Sequence, residues 1–476
     1  MGISQSHVLG RSLKFFAAEE TTRGTFKKPV AADAVKAVTA SAAKTTERRN
    51  RNDSRQTRSL LERITGKSTA EWSYDGYLIP SGTAGTAPDA RHLLRGALGK
   101  EETILTVVDY TNGSTKTVTI ALQGGSGNSG TTHTLTEGTD FSAATSNTVT
   151  ATNIAAAIVA LSDDELTATS SGAVVTITAD GESLGVSSSE VTAWNTTTSG
   201  AYTYRLSKTQ VWPTASLVRH YNDVMMETVF GAWVDSMTIS VSGGDEPKIS
   251  CSGSGMGYVI TGTSTLNGAM SSSATMVIQT ADSYNVSDGS VVKIGTDDNS
   301  GAGYEVTVDT SRPSFTIESA ITASDAATVV PFAPSETTAG SPVNSVTGSL
   351  TVDAVTFPIT SFDVTVANEQ KAVADEAFQD YPDDVIPGYR GVSGTISIRA
   401  RKDFIIEMGD RNTYTARDVV VTLGSGAGTT VTINMDTIEV DWSSVDVPEA
   451  EEGVITLPYV ALATSSGEDE LNIVFS

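Results

Sequence analysis

A chain of 476 residues with 56 acidic and 31 basic side chains, a formal charge of −25, is too long for one ordinary core and predicts about three or four domains of ~100–200 residues. The acidic balance excludes a freely sequence-reading duplex-binding protein, which carries a basic footprint, and suits a surface that nucleic acid passes without sticking. Few aromatics (6%), many glycines (42) and Ser or Thr in almost every strand-like run predict a mainly β protein, not an enzyme built round a deep aromatic pocket.

In chain order, Ser12–Ala17 reads as an opening strand, and the Ala-, Lys- and Thr-rich remainder of residues 1–43 reads as an arm that orders against a neighbour. From Lys44 to Lys67 the charge reverses: Lys44, Arg48, Arg49, Arg51, Arg55, Arg58, Arg63 and Lys67 face only Glu47, Asp53 and Glu62, a local excess of 8 − 3 = +5. This loop reads as an inter-ring docking element that seeks the acidic surface of another copy, since complementary charge steers and registers contacts. A solvated face and a nucleic-acid arm are the competing readings. Thr69–Pro80, with Trp72, Tyr74 and Tyr77, is a strand. Pro88 and Asp89 suit the first turn of a short helix, Leu93, Leu94, Ala97 and Leu98 form its apolar face, and Gly99 stops it.

At Glu101 the texture turns to Thr, Ser, Gly and Asn, and the earlier character resumes only at Tyr202. Strands are expected near Ile104–Val108, Lys116–Leu122 and Ala173–Ile177, with a helical run at Asn153–Leu161 whose Ile154, Ile158 and Leu161 share a face. Residues 101–200 therefore read as a small α+β domain inserted into a first β domain made of 1–100 and 201–268. Within the latter, Met237, Ile239 and Val241 alternate with Thr238, Ser240 and Ser242; Gly243, Gly244 and Pro247 break the run, and Lys248–Ser252 returns as a hairpin. Alternation puts Cys251, the one cysteine, on the face of Ile249 as a buried small side chain.

Residues 269–344 alternate over Ser290–Gly295, Tyr304–Val308, Ser314–Glu318 and Ala327–Phe332, enough for a small β barrel, and Ser335–Val343 resembles a linker. Residues 345–476 form a second large β domain, with strands at Leu350–Phe357, Ile359–Val366, Thr395–Ala400, Asp418–Leu423, Thr430–Asp441 and Gly453–Ala463. The run from Met435 to Trp442, through Val447-Pro448-Glu449 to Ile455–Val460, echoes the earlier hairpin. Two copies of one hairpin suggest a duplicated β domain.

No catalytic pattern emerges, and no enzyme activity, cofactor or metal is expected. Gly424–Gly428 places its third glycine one residue too early for a dinucleotide loop, and no Gly-Lys-Ser/Thr completes a P-loop. Gly124–Gly130 holds no Gly-x-Ser-x-Gly elbow. Carboxylates cluster at Asp163-Asp164-Glu165, Asp297-Asp298 and Glu449–Glu452, where a glycosidase pair could hide, but such clusters are expected in so acidic a chain. Asp297-Asp298-Asn299 reads as a solvated turn, with calcium the alternative. His7, His92, His133 and His220 are scattered without metal-ligand spacing. No leader pattern opens the sequence, and no window reaches the ~18 apolar residues that span a bilayer, so a soluble protein made in a cytoplasm, with no membrane partner, is the expectation.

Several segments together resemble the tail tube proteins, or major tail proteins, of tailed bacteriophages. They are Thr46–Arg49 through Asp53–Arg58, Trp72–Pro80 followed by Gly85–Asp89 and its helix, the Val234–Gly243 hairpin, Ile386–Gly391, Glu452–Pro458 and Gly467–Leu471. The resemblance covers about 1–100, 201–268 and 345–476. It implies two related β-sandwich tube domains whose inner sheets join those of neighbours into a closed β-barrel ring. Such rings hold six tube domains, here three two-domain chains in a trimeric pseudo-hexameric ring, with a hexamer of chains the other option. The rings stack into a hollow tube with an anionic lumen for genome delivery. Thr238, Ser240, Ser242, Thr395 and Ser397 are candidates for the lumen wall, with exterior exposure the alternative. The implied partners are further copies of the chain, tape-measure, tail-terminator and tail-tip or baseplate proteins, and DNA that passes without specific binding. The implied location is the virion tail, assembled in the host cytoplasm, and an outward insert of this size favours a non-contractile tail. The alternative functions are a tail fibre or capsid decoration protein that binds host-surface carbohydrate, and a polysaccharide-cleaving enzyme.

Overall fold

The computed structural model of the chain describes residues 10–50, 63–112, 115–123, 131–163, 166–180, 183–188, 194–196, 202–208, 212–373, 380–382, 384–399, 417–441, 445–446, 453–463 and 467–476. The protein is mainly β, with several sheets, a half-barrel and two α-helices among the described residues. The main sheet runs in chain order through β1 (Thr39–Asn50), β2 (Arg63–Tyr77), β3 (Gly99–Val107), β4 (Tyr202–Leu206), β5 (Ser236–Ser242) and β6 (Lys248–Gly255). It continues with β7 (Ser349–Val352), β8 (Val355–Phe357), β9 (Ile359–Ala367), β10 (Gly391–Arg399), β11 (Arg417–Leu423), β12 (Val431–Val440), β13 (Val454–Ala461) and β14 (Asn472–Phe475).

An inner layer pairs antiparallel in the order β1–β2–β6–β5–β9–β10–β13–β12. The two halves of this order have one topology: an opening strand, its hairpin partner, then a later hairpin inserted in reversed order. The likeness extends to the covering layer, where β3 pairs β4 in the first half and β11 pairs β12 in the second. β12 does with one strand what β4 and β5 do with two. Its first residues pair β11 and β14, and Ile438, Glu439 and Val440 pair β13. The halves join where β5 runs against β9, from Ser236↔Ala367 to Ser242↔Ser361.

Period-two alternation sends one face of every inner strand into a common core with the covering layer. Met237, Ile239, Val241, Ile249, Cys251, Phe362, Val364, Ile455, Leu457 and Tyr459 lie there, all buried. The hairpin at 236–255 and the buried Cys251 thus agree with the alternation of the sequence. Helix α1 (Arg91–Leu98) buries Leu93, Leu94, Ala97 and Leu98 and ends at Gly99, φ +95. It begins at Arg91 and not at Pro88, because the Asp89 carboxylate accepts the Ala339 backbone N–H at 3.0 Å instead of complementing a first turn.

Residues 105–194 gather a core of their own around Ile120, Ile154, Ile158, Val175, Ile177 and Trp194. Helix α2 (Asn147–Val159) starts six residues before the apolar period shows, capped by the Ser146 hydroxyl, which accepts the Val149 N–H. The strand Val174–Asp180 pairs with β3 from Lys100↔Asp180 to Thr106↔Val174, so this unit extends the covering layer. In residues 264–331 six strands pair in the order Ser264–Thr265, Thr328–Pro331, Val291–Ile294, Tyr304–Ser311, Ser314–Ala323, Met270–Val277. Leu266 bridges Ile278, which brings the last strand back to the first round a core containing Phe315 and Tyr304.

Three expectations need correction. The part of 10–43 that follows the expected opening strand is no arm: Ala34 and Val35 pair with Phe16 and Phe15 of that strand. The strand itself runs Leu13–Glu19, pairs with Ala215–Tyr221, and puts Phe15 and Ala17 in the main core and Phe16 in a second cluster with Val218, Met226 and Val291. Burial on both faces, Val35 in the main core and Ala34 in the second cluster, erased the alternation that would have marked Ala34–Val35. Leu350–Phe357 is a hairpin and not one strand, because Asp353 and Ala354 take positive φ (48° and 65°) as its two-residue turn. The 335–343 segment has no strand, yet Thr337 N–H donates to Ala31 O and Val343 N–H to Leu78 O. Gly340 (φ +74) approaches so closely that a Cβ would stand 1.8 Å from Pro80 O.

Candidate functional site

Alternation gives the inner layer one polar face that runs across all eight of its strands. Directly opposed residues form one row across all eight strands: Thr39, Asp75, Ser250, Thr238, Thr365, Ser393, Val460 and Glu439. Thr238, Ser240, Ser242, Thr395 and Ser397 all lie on this face. Short hydroxyl side chains tie neighbouring strands together. The hydroxyls of Thr238 and Thr365 are 2.8 Å apart, those of Ser41 and Ser73 2.6 Å, and Thr395 donates to Asp363. Ser240 and Ser242 are exposed, whereas Ser397 is only 8% exposed, its hydroxyl 3.2 Å from that of Thr456. Glu71, Asp75, Asp363, Glu439 and Asp441 belong to the same face by alternation, against Lys248 and Arg399, so the face is polar with an acidic excess.

Two strand edges flank this layer. β1 pairs β2 on one side and has no second neighbour among the described residues. At the other end Glu439 and Val440 pair β13, while the β11 ladder stops at Arg417↔Ile438.

The basic stretch is not a loop in its described parts. β1 and β2 remain paired from Thr45↔Thr69 to Asn50↔Arg63, beyond Ala70↔Gly255, the last pair that β2 makes with β6. The seven residues 63–69 thus carry a two-stranded ribbon roughly 23 Å past the rim. Both strands are exposed along its outer part, Arg48–Asn50 and residues 63–65, which is why the sequence shows no apolar period. Lys44, Arg48, Arg49, Arg63 and Lys67 sit on the ribbon; Arg51, Arg55 and Arg58 lie outside the described residues. Arg49 pairs with Glu47 at 2.8 Å, and this hydrogen bond holds the Glu47 carboxyl below its ordinary range. The base is braced by Ser68 N–H donating to Asp380 O at 2.7 Å and by Lys44 Nζ 4.9 Å from the Tyr381 ring centroid.

That brace belongs to the equivalent hairpin of the second half. β9 and β10 continue past the same rim as Lys371–Val373 paired with Asp384–Ile386. This extension lies across the first half: Val385 packs with Trp233 and Met256, and Asp384 pairs with Arg23. The sequence carried no signal for this second ribbon except the alternation of the strands that lead into it.

Several buried ionisable groups have structural partners. Arg95 pairs with Glu19, and His92 lies 3.1 Å from Glu19 and 3.7 Å from Asp33, fastening α1 to the Leu13–Glu19 strand. Burial holds the His92 imidazole below its ordinary value. Burial also raises the Asp235 carboxyl to about 6, although it accepts the Trp233 indole N–H at 2.9 Å.

Asp297 accepts the Tyr304 hydroxyl and the Asn299 N–H, and Asp298 accepts the Gly301 N–H, the bonds of a turn. Gly424, Gly426 and Gly428 all have positive φ, also as turn residues, while Gly124–Gly130 lies outside the described residues. Asp163 meets His133 at 3.2 Å; Asp164, Glu165 and Glu449–Glu452 lie outside the described residues. Among the described residues no group of three His, Cys, Asp or Glu side chains could hold a metal ion, and no helix is long and apolar enough to cross a membrane. No protein-family model and no curated protein matches the chain.

Proposed function

We propose that the chain is a structural subunit of a bacteriophage tail tube, which polymerises into rings that stack as a hollow conduit for the genome. One observation carries the reading. β5, which ends the first half of the inner layer, pairs with β9, which opens the second. β12 ends the second half and β1 opens the first, so β12 of one copy stands to β1 of the next as β5 stands to β9. Pairing them repeats an existing contact, covers both open edges and generates a cyclic assembly. Three chains would supply 3 × 8 = 24 inner strands.

The Ser-, Thr- and carboxylate-bearing face then lines the channel, where a hydrated anionic wall gives passing DNA nothing to hold. The ribbon at one rim is the contact between successive rings. The partners are further copies, a tape-measure protein inside the tube, and terminator and tail-tip or baseplate proteins at its ends, all in the virion tail.

Electron microscopy of the concentrated protein tests this reading. Rings and hollow tubes are the expected result, and their symmetry gives the number of chains per turn. Persistent monomers overturn the proposal, and discrete spikes that bind host polysaccharide would replace it with the fibre or decoration role.

A further inference from the structure

The geometry points to a docking site for a second copy of the chain: an apolar cleft at the rim opposite the ribbon receives the ribbon of the next ring. This inference rests on the tube reading and specifies how its rings interlock. The cleft has a volume of about 530 Å³ and lies where β5 of the first half meets β9, β7, β8 and β11 of the second. Val241, Leu350, Phe357, Ile359, Val421 and Leu423 line it. At its mouth Val346 is 78% exposed, an apolar side chain on a surface otherwise built of Ser, Thr and Gly.

Strand directions place the cleft. The ribbon leaves the rim marked by Gly255, Ser236 and Ala367, whereas the cleft is lined by Val241, Ser242 and Ile359, at the far ends of β5 and β9. Ribbon and cleft therefore sit on opposite rims of one subunit, the arrangement that head-to-tail stacking of rings requires and that rings stacked with like rims together would not satisfy.

Charge and polarity match across that contact. The turn beside the mouth carries the exposed Asp245 and Glu246, and the Ser345 hydroxyl donates to the Asp245 carbonyl at 2.7 Å, joining the turn to the 345–349 segment. Lys248 alternates onto the polar inner face, away from the cleft. The ribbon offers Arg48 and Arg63 on exposed positions, with Ile64 55% exposed beside them. A two-stranded ribbon projecting into solvent is marginal by itself. An apolar side chain seated in the cleft and arginines against the acidic lip would cover it.

Two measurements on the full-length protein test the inference. A variant with Ile64→Cys and Val346→Cys, assembled and then oxidised, should give a ladder of disulfide-linked multimers on denaturing gels, while unassembled subunits give none. Tubes that form without such links, or links from Ile64→Cys to Ile386→Cys on the same rim instead, overturn the inference. Separately, Asp245→Lys with Glu246→Lys should leave folded rings but lower the stacked fraction at least roughly tenfold, with recovery when Arg48→Glu and Arg63→Glu are added. Stacking of the lysine variant at the native level overturns the site while leaving the tube reading intact. Failure of the native protein to form rings overturns both.

Discussion

Gly394 in β10 shows how closely the inner layer is packed. A Cβ there would lie 2.0 Å from Asp363 O and 2.7 Å from the Tyr459 hydroxyl, which itself donates to Asp363 O at 2.8 Å. Gly394→Ala should therefore cost at least about 2 kcal/mol in chemical denaturation, through backbone displacement and loss of a buried hydrogen bond. Gly391→Ala, three residues earlier in open space, should change stability by less than about 1 kcal/mol. Asp235 makes a pH prediction. Its folded-state value of about 6 lies above the ordinary carboxyl value near 3.9, so its favourable contribution is fully present below about pH 4 and is lost as pH rises through about 6. Asp235→Asn, which keeps an oxygen for the Trp233 indole, should gain stability relative to native between pH 4.5 and pH 7.5 in parallel denaturant titrations. A constant difference across that range would refute the linkage.

At the scale of elements, strands with one wet and one dry face were the most legible. Met237, Ile239 and Val241 announced β5 because polar residues separate them. Ala34–Val35 hid because both of its faces are covered, and the outer part of the ribbon hid because neither is. The start of α2 was missed because Asn147–Thr152 is polar and only the Ser146 cap marks it. The ribbon also carries the sharpest element-level prediction. Replacing Arg48, Arg49 and Arg51 by Glu should leave a soluble, folded protein, because the two described positions are exposed and the main core does not touch them, but one that no longer polymerises. Light scattering and pelleting would read the loss directly, and tubes formed normally by this variant would remove the docking role.

At the scale of the whole molecule, two kinds of contact are proposed and they differ in physics. Closure of a ring adds backbone ladder bonds and apolar contacts, which salt screens little. Stacking seats one apolar side chain per contact, but its pairing of a cationic ribbon with an acidic lip is screened beyond about one Debye length, near 3 Å at 1 M salt. Raising salt to that level should release rings of a few 49.5 kDa chains from tubes before it releases single chains, as sedimentation velocity would resolve. Release of monomers directly would mean that charge also closes the ring.

Alternation, turn residues and the net charge by themselves determined the β class, the Met237–Cys251 hairpin and its echo, the helix face at Leu93–Leu98 and the basic excess at 44–67, because each depends on neighbours within a few residues. The tertiary structure alone decided that β5 meets β9, that the two halves share one strand order, that Asp89 holds residue 339 and not a helix end, and that ribbon and cleft occupy opposite rims. Those relations join residues a hundred or more positions apart, and what selects them is which apolar faces can be covered together, a property that no local pattern encodes.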